Sequence, residues 1–371
     1  MKKILFVNDL IYGGGVEKVL SDIVCNLPCE KYDITIYTPQ QEKNFYDSYP
    51  GYITYRFGRL YRARFSNRIL RKIVRIYNRF ATKIAASKLN HEHFDVAVSI
   101  KDGECMKFVA EEILAEKKIG WVHSDFHYFH WTKYLFPMPE TEVACMQKFN
   151  QVVCVSKATL DSIKETIGDP SNLIVRYNPV NEAEIRMKAT SKITNEKSNK
   201  FLFVSVGRVV EQKGFDKLLT ACNLLNQNGY ENKYELWIVG PHHYKESDKI
   251  LDFAQKHKLH NVFFLGEKQN PYPYMRVADC YVSSSVWESY GISIQESIVL
   301  GVPVISTACP AVKEVMDPNC GIFVEHTAEA LYCAMKEVLK EPAVLQNCRD
   351  YIKYNSKDTF EQRIHEIEQM F

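Results

Sequence analysis

Short β-branched and aromatic runs alternate with longer helix-patterned segments along this chain, and the alternation starts twice. In the first half the strand-like runs are 4–8, 34–37, 94–100, 119–123 and 152–156, and segments 17–27, 104–115 and 158–167 carry helical spacing. In the second half strands at 201–206, 235–239, 262–265, 280–284 and 302–306 alternate with helices at 216–226, 289–300 and 328–339. Few topologies satisfy such a pattern. Parallel strands need a crossover between them, and crossover helices cover both faces of the sheet. The predicted class is α/β, with two Rossmann-like doubly wound domains.

The length of 371 residues suits two domains of about 150–200 residues each. After Tyr177-Asn178-Pro179 the chain turns polar over 181–200, rich in Lys, Ser, Thr and Asn, which reads as the linker side of a boundary. The expected division is 1–180, 181–355, and a C-terminal helical segment, 356–371, that can pack back on the first domain.

Composition removes several classes. Apolar runs such as 201–206 are strand-length and far short of the ~18 residues a membrane-spanning helix needs. Met1-Lys2-Lys3 leads straight into Ile4–Val7, too short for a signal-peptide core, so the expected location is the cytoplasm. Eleven cysteines are scattered singly with no Cys-x-x-Cys, as for reduced thiols rather than a disulfide frame or zinc site. The net charge of +2 conceals an asymmetry. Ten of the 47 Lys and Arg fall between Arg56 and Lys83, where there is no Asp or Glu, so the rest of the chain is net negative. Within this segment Phe65, Ile69, Ile73, Ile76 and Phe80 form an apolar stripe at helical spacing, beside Arg64, Arg68, Arg71, Arg75 and Arg79. Two readings stay open: a core-facing helix with solvated arginines, or a peripheral contact with the anionic inner face of the cell membrane. Nucleic-acid binding is not expected, because overall charge is near neutral and no recognition motif occurs.

Four segments at strand ends carry candidate chemistry, since open parallel sheets bind ligands there. The first, Gly13-Gly14-Gly15-Val16-Glu17, can bring backbone N–H groups to an anion at a helix N-terminus, or be no more than a tight turn. It lacks the third glycine of a dinucleotide fingerprint, because Lys18 stands there. The second is Gly207-Arg208-Val209-Val210-Glu211-Gln212-Lys213-Gly214. Its planar guanidinium and compact ammonium, flanked by glycines, suit a diphosphate; otherwise it is a solvated loop. The third runs Trp287-Glu288-Ser289-Tyr290-Gly291-Ile292, then on through Glu296. Gly291 is placed to open a helix, with Glu288 and Glu296 set to accept from sugar and ribose hydroxyls and N–H groups of Tyr290–Ile292 free for phosphate. The fourth ends a first-domain strand at His123. A lone strand-end histidine is more often structural than functional, and His127 and His130 nearby lack the carboxylate or Cys framework of a metal centre, so no metal site is expected.

Taken together, Gly207–Gly214, the Glu288/Glu296 E-x(7)-E pair, Asn270-Pro271-Tyr272-Pro273-Tyr274 and Gly301-Val302-Pro303-Val304-Ile305 resemble the donor site of retaining family 4 glycosyltransferases of the GT-B fold. The likeness spans the second domain and rests on the glycine loop and His123 in the first. It implies two domains facing across a cleft and a nucleoside-diphosphate sugar, usually a UDP-sugar, as co-substrate, with no further cofactor. By the resemblance Arg208 and Lys213 hold the diphosphate, Glu296 the ribose, and Glu288 with the backbone of Ser289, Tyr290, Gly291 and Ile292 the sugar. Lys268 borders the base, Gly14, Gly15 and Gly207 line the donor, and His123 approaches the sugar as the cleft closes. Catalytic roles fall on His123, Glu288, Arg208 and Lys213. The reaction implied retains anomeric configuration by front-face attack, moving a hexose or N-acetylhexosamine to a glycan or polyprenyl-diphosphate-linked acceptor in bacterial surface polysaccharide synthesis. Ser289, Gln295, Ser297 and Ala308-Cys309-Pro310 depart from the family's usual residues, which leaves the donor sugar open. A nucleotide-sugar epimerase of the same fold, or a catalytically silent nucleotide-sugar binder, are the alternatives.

Overall fold

Every strand pairing in the computed structural model is parallel. The structure describes residues 1–9, 14–39, 49–60, 67–193, 197–242, 245–355 and 359–371. Gly13, Arg64 and Phe65 lie outside these described residues. The chain divides into two compact units, Met1–Pro179 with Glu361–Phe371, and Val180–Phe360.

The first unit holds β1 (Lys2–Val7), β2 (Tyr32–Thr38), β3 (Thr54–Phe57), β4 (Phe94–Ser99), β5 (Ala115–Val122), β6 (Gln151–Cys154) and β7 (Leu173–Val175), in the order β3-β2-β1-β4-β5-β6-β7. The second holds β8 (Phe201–Val206), β9 (Tyr234–Val239), β10 (Val262–Gly266), β11 (Cys280–Ser283), β12 (Val304–Thr307) and β13 (Gly321–Val324), in the order β10-β9-β8-β11-β12-β13. Central strands read as continuous apolar runs because helices cover both faces. Ile4, Leu5, Phe6 and Val7 are all buried, as are Leu202, Phe203 and Val204. Strand order reverses once in each sheet, at β1/β4 and at β8/β11. At such a point adjacent loops diverge to opposite faces and leave a crevice at the strands' carboxyl ends.

Several boundaries differ from the sequence expectation. The strands β3, β7 and β13 escape it, being three or four residues long and only partly buried. The helix expected from 289 starts at Ile292, because Gly291 takes the left-handed conformation (φ 83°) and ends the preceding loop there. The presumed linker contains a helix, Glu182–Lys188, whose N-terminus is closed by Asn181 accepting from the Glu184 N–H at 3.0 Å. It belongs to the second unit: Ile185 is buried and Arg186 donates to the Val299 carbonyl at 3.3 Å. The terminal helix Phe360–Glu368 lies against the first unit's strands. Phe371 meets Phe6 edge to face at 5.8 Å, and Glu368 pairs with Lys31 at 3.0 Å. Among the described residues no helix is long and apolar enough to cross a membrane.

The basic segment corrects one of its two readings. Residues 68–90 form a single helix, Arg68–Asn90, but the apolar stripe does not face a core of this chain: Ile69, Ile73, Ile76 and Phe80 are all exposed. What the helix turns toward the unit is Ala86 and Leu89, with Ala85 partly buried beside them.

Candidate active site

The second unit's site is built at its β8/β11 reversal. The loop after β8 carries Gly207, Arg208 and Lys213; the loop after β11 carries Glu288 to Gly291. The two are bonded to each other. Val286 N–H donates to the Gln212 carbonyl at 2.8 Å, and Ser284 Oγ to the Lys213 carbonyl at 2.8 Å. Gly214 sits between them with φ 60°, where a Cβ would run into the Ser284 carbonyl oxygen, so this close approach of backbones requires glycine.

The loops bring Lys213 and Glu288 together. Lys213 Nζ lies 2.6 Å from Glu288 Oε1, which also accepts from Ser285 Oγ at 2.7 Å. Glu288 is buried, and its Oε1 is satisfied there by these two partners. Glu296, one turn into the helix Ile292–Val299, is buried too and accepts from Tyr272 Oη at 2.8 Å. The N-terminus of that helix contributes N–H groups without intrahelical partners. Tyr290 and Ser289 are buried at this turn, and Ile292 is half-buried. Arg208 stands exposed, in no ion pair among the described residues. Lys268 follows β10, two strands from the reversal, and its ammonium rests over the Tyr274 ring at 5.5 Å. The arrangement places two cations, two buried carboxylates and a helix N-terminus at one crevice.

The first unit carries its own polar cluster at the β1/β4 reversal. Gly14 caps the helix Gly15–Val24, and Gly15 is exposed at its start. Next to it Lys101 reaches Asp9 at 2.8 Å and Glu17 at 3.7 Å. Burial works to lower the Lys101 pKa, but the two carboxylates carry it above its ordinary value; burial raises that of Glu17 against the pull of Lys101. His123, one strand further on, has its backbone N–H on Asp102 Oδ1 at 3.2 Å. Asp102 is itself fixed by the Trp131 indole N–H at 2.7 Å, which is shared with Ser124 Oγ at 2.9 Å. Burial, aided by the nearby Lys101 charge, pushes the His123 imidazole down to about 3, so it is neutral at any ordinary pH. Its Nε2 is buried and meets no partner among the described residues, and the same holds for both amide atoms of Asn8.

The neighbouring histidines do not join His123. His130 is buried against Glu142 at 2.7 Å and stacks on Phe126, and His127 is exposed beside Glu165 at 3.9 Å. Lys101, Asp102, Trp131 and Ser285 complete the two clusters but were not among the sequence candidates; Tyr272 figured there only within the motif Asn270–Tyr274, with no role. Lys101-Asp102-Gly103 directly follows the strand-like run 94–100, a signal as legible as that of His123.

Two Rossmann-like sheets, each with polar loops at its reversal, define a protein class that binds ligands at the carboxyl ends of its strands. Comparison with known proteins names it. Residues 13–184 match Glycosyltransferase Family 4, and residues 187–358 match Glycosyl transferases group 1. The chain thus belongs, in both halves, to the glycosyltransferases, and its fold is GT-B. It is 33% identical over 124 residues to an uncharacterized glycosyltransferase of Methanocaldococcus jannaschii, covering 33% of this chain and 30% of that one. It is 28% identical over 163 residues to the lipopolysaccharide glucosyltransferase WaaG of Escherichia coli, covering 42% of each. The matches therefore span less than half the length of these relatives. Among solved structures, Anabaena HepE in complex with UDP and glucose superposes with a TM-score of 0.77 over 100% of both chains at 15% identity.

Proposed function

We propose that the protein transfers a hexose or N-acetylhexosamine from a UDP-sugar to a glycan or lipid-linked acceptor, with retention of configuration, in surface polysaccharide synthesis. The observation that carries this reading is the Lys213–Glu288 contact beside buried Glu296 at the β8/β11 reversal. Further support comes from HepE, whose structure holds UDP and glucose, and from WaaG, named a lipopolysaccharide glucosyltransferase.

In this reading Arg208 and Lys213 take the diphosphate and the N–H groups at the start of Ile292–Val299 its remaining charge. An ammonium has three donors, so Lys213 can hold Glu288 and a phosphate oxygen at once. Glu288 accepts from sugar hydroxyls, Glu296 from ribose hydroxyls, and Lys268 lies toward the base. Neutral His123 serves a substrate hydroxyl through its unpartnered Nε2. The bond from the anomeric carbon to the diphosphate breaks while the acceptor oxygen bonds to that carbon on the same face. The acceptor's proton passes to the departing phosphate. No enzymic nucleophile enters, and the demand on the protein is stabilisation of charge on the leaving group, which fixed cations and helix dipoles supply.

The test is turnover of the purified chain with a panel of UDP-sugars and glycan or polyprenyl-diphosphate acceptors, with the anomeric configuration read by NMR. Release of UDP only with acceptor present, and an axial product from an axial donor, is the expected result. Isomerised UDP-sugar without acceptor means an epimerase. Tight donor binding with no turnover on any acceptor means a silent binder.

A further inference from the structure

The helix Arg68–Asn90 presents the largest run of exposed apolar side chains among the described residues. Ile69, Ile73, Ile76, Phe80 and Ile84 recur at three- and four-residue spacing and so line one face. Ile69 is 69% exposed, Ile73 55%, Phe80 65% and Ile84 58%, and Leu70 and Tyr77 widen the stripe. Isolated surface hydrophobics are ordinary, but a continuous stripe of this size signals something that covers it.

The flank of the stripe identifies what that is. Arg68, Arg71, Lys72, Arg75, Arg79 and Lys83 occupy the adjoining face, all exposed, and none is in an ion pair among the described residues. No acidic residue occurs in the helix. Arg56 before it is neutralised by Glu92, at 2.7 Å, and so stands apart from this set. A second copy packed stripe to stripe would set two rows of unpaired cations side by side. An anionic lipid surface instead accepts both features, apolar side chains at the acyl boundary and cations among the headgroups.

We infer that this helix docks the protein on an anionic bilayer. Its N-terminal turn lies at the sheet edge that carries Gly14 and His123. A helix joining two parallel strands, here β3 to β4, runs back from the carboxyl end of one to the amino end of the next. The most basic end of the docking helix and the unit's polar cluster thus share one edge. That this edge receives a lipid-linked acceptor rests on the proposed function; the docking itself does not.

The experiment is co-sedimentation of the full chain with vesicles of phosphatidylcholine, and of equal parts phosphatidylcholine and phosphatidylglycerol. Binding is expected to the mixed vesicles and to fall with added salt. Each cation near the surface is worth about fivefold in partition, so R71Q/R75Q/R79Q/K83Q should reduce binding by roughly several hundredfold. Ile73→Ser with Phe80→Ser should reduce it by about tenfold or more at unchanged charge. All six residues are exposed, so both variants should keep the wild-type circular dichroism. Should one not fold, the other and the wild-type salt dependence decide. Equal partition into both vesicle types, or no loss in a folded variant, overturns the inference. So does a dimer in sedimentation velocity that Ile73→Ser/Phe80→Ser dissolves while vesicles stay bare, or binding to duplex nucleic acid but not to anionic vesicles.

Discussion

Lys213 and Glu288 are 75 residues apart in sequence, yet their side chains meet at 2.6 Å across the two loops of the β8/β11 reversal. Neither loop could make the site alone. The contact fixes the buried carboxylate in place, and the carboxylate holds the ammonium at the crevice where an anion would arrive.

Charged hydrogen bonds are worth about 1.5–3 kcal/mol, so Lys213→Ala and Glu288→Gln should each lower kcat/KM by roughly 10- to 150-fold. Because each side chain supports the other, the double variant should cost clearly less than the product of the two single losses. Steady-state kinetics of the four proteins checks both points. Near-normal turnover in the double variant would place the site elsewhere.

Glu296 accepts from Tyr272 at 2.8 Å in a buried setting. Tyr272→Phe removes this one donor from a buried carboxylate, which should cost about 0.5–1.5 kcal/mol in urea unfolding. If Glu296 holds the donor's ribose, the same variant should raise the KM for the donor more than it lowers kcat. A fall in kcat at unchanged KM would assign Glu296 to the transition state instead.

The alternation of runs was enough to read two parallel sheets, because doubly covered central strands such as β1 and β8 must be apolar throughout. Edge strands β3 and β13 were not legible, since half-exposed segments need no such pattern. Glu288, Glu296, Arg208 and Lys213 stood out because charge at a strand end is conspicuous. Ser285, which holds Glu288, did not, and Tyr272 was visible only inside the motif Asn270–Tyr274 with no role attached: a hydroxyl near a strand end is ordinary until the fold shows what it touches. The stripe of Arg68–Asn90 was legible as a stripe, but only its exposure decided between core and surface.

Transfer should proceed without a divalent metal. The chain contains no Asp-x-Asp pair with which to bring one to a diphosphate, and Arg208 and Lys213 offer the positive charge in its place. Activity should survive EDTA and should not rise with added Mn²⁺ or Mg²⁺. Loss in EDTA restored by Mn²⁺ would contradict the assignment of both cations.

The last expectation concerns pH and His123. The imidazole, ordinarily near 6.5, is pushed down to about 3, first by burial and then by the Lys101 charge. A histidine freed by unfolding takes up a proton near 6.5, while the folded one stays neutral down to about 3. The unfolded state therefore binds more protons in that window, and native stability must fall as pH drops from 6.5 towards 3. Above 6.5 this contribution is fully present. His123→Asn removes the titration and should flatten the stability curve across the window in urea unfolding. The pH profile of kcat/KM should show no inflection near 6.5 that vanishes in the variant, because the group is neutral throughout. Such an inflection would mean that His123 works as a proton-transfer group, and its proposed part as a neutral hydrogen-bonding partner of a substrate hydroxyl would have to be withdrawn.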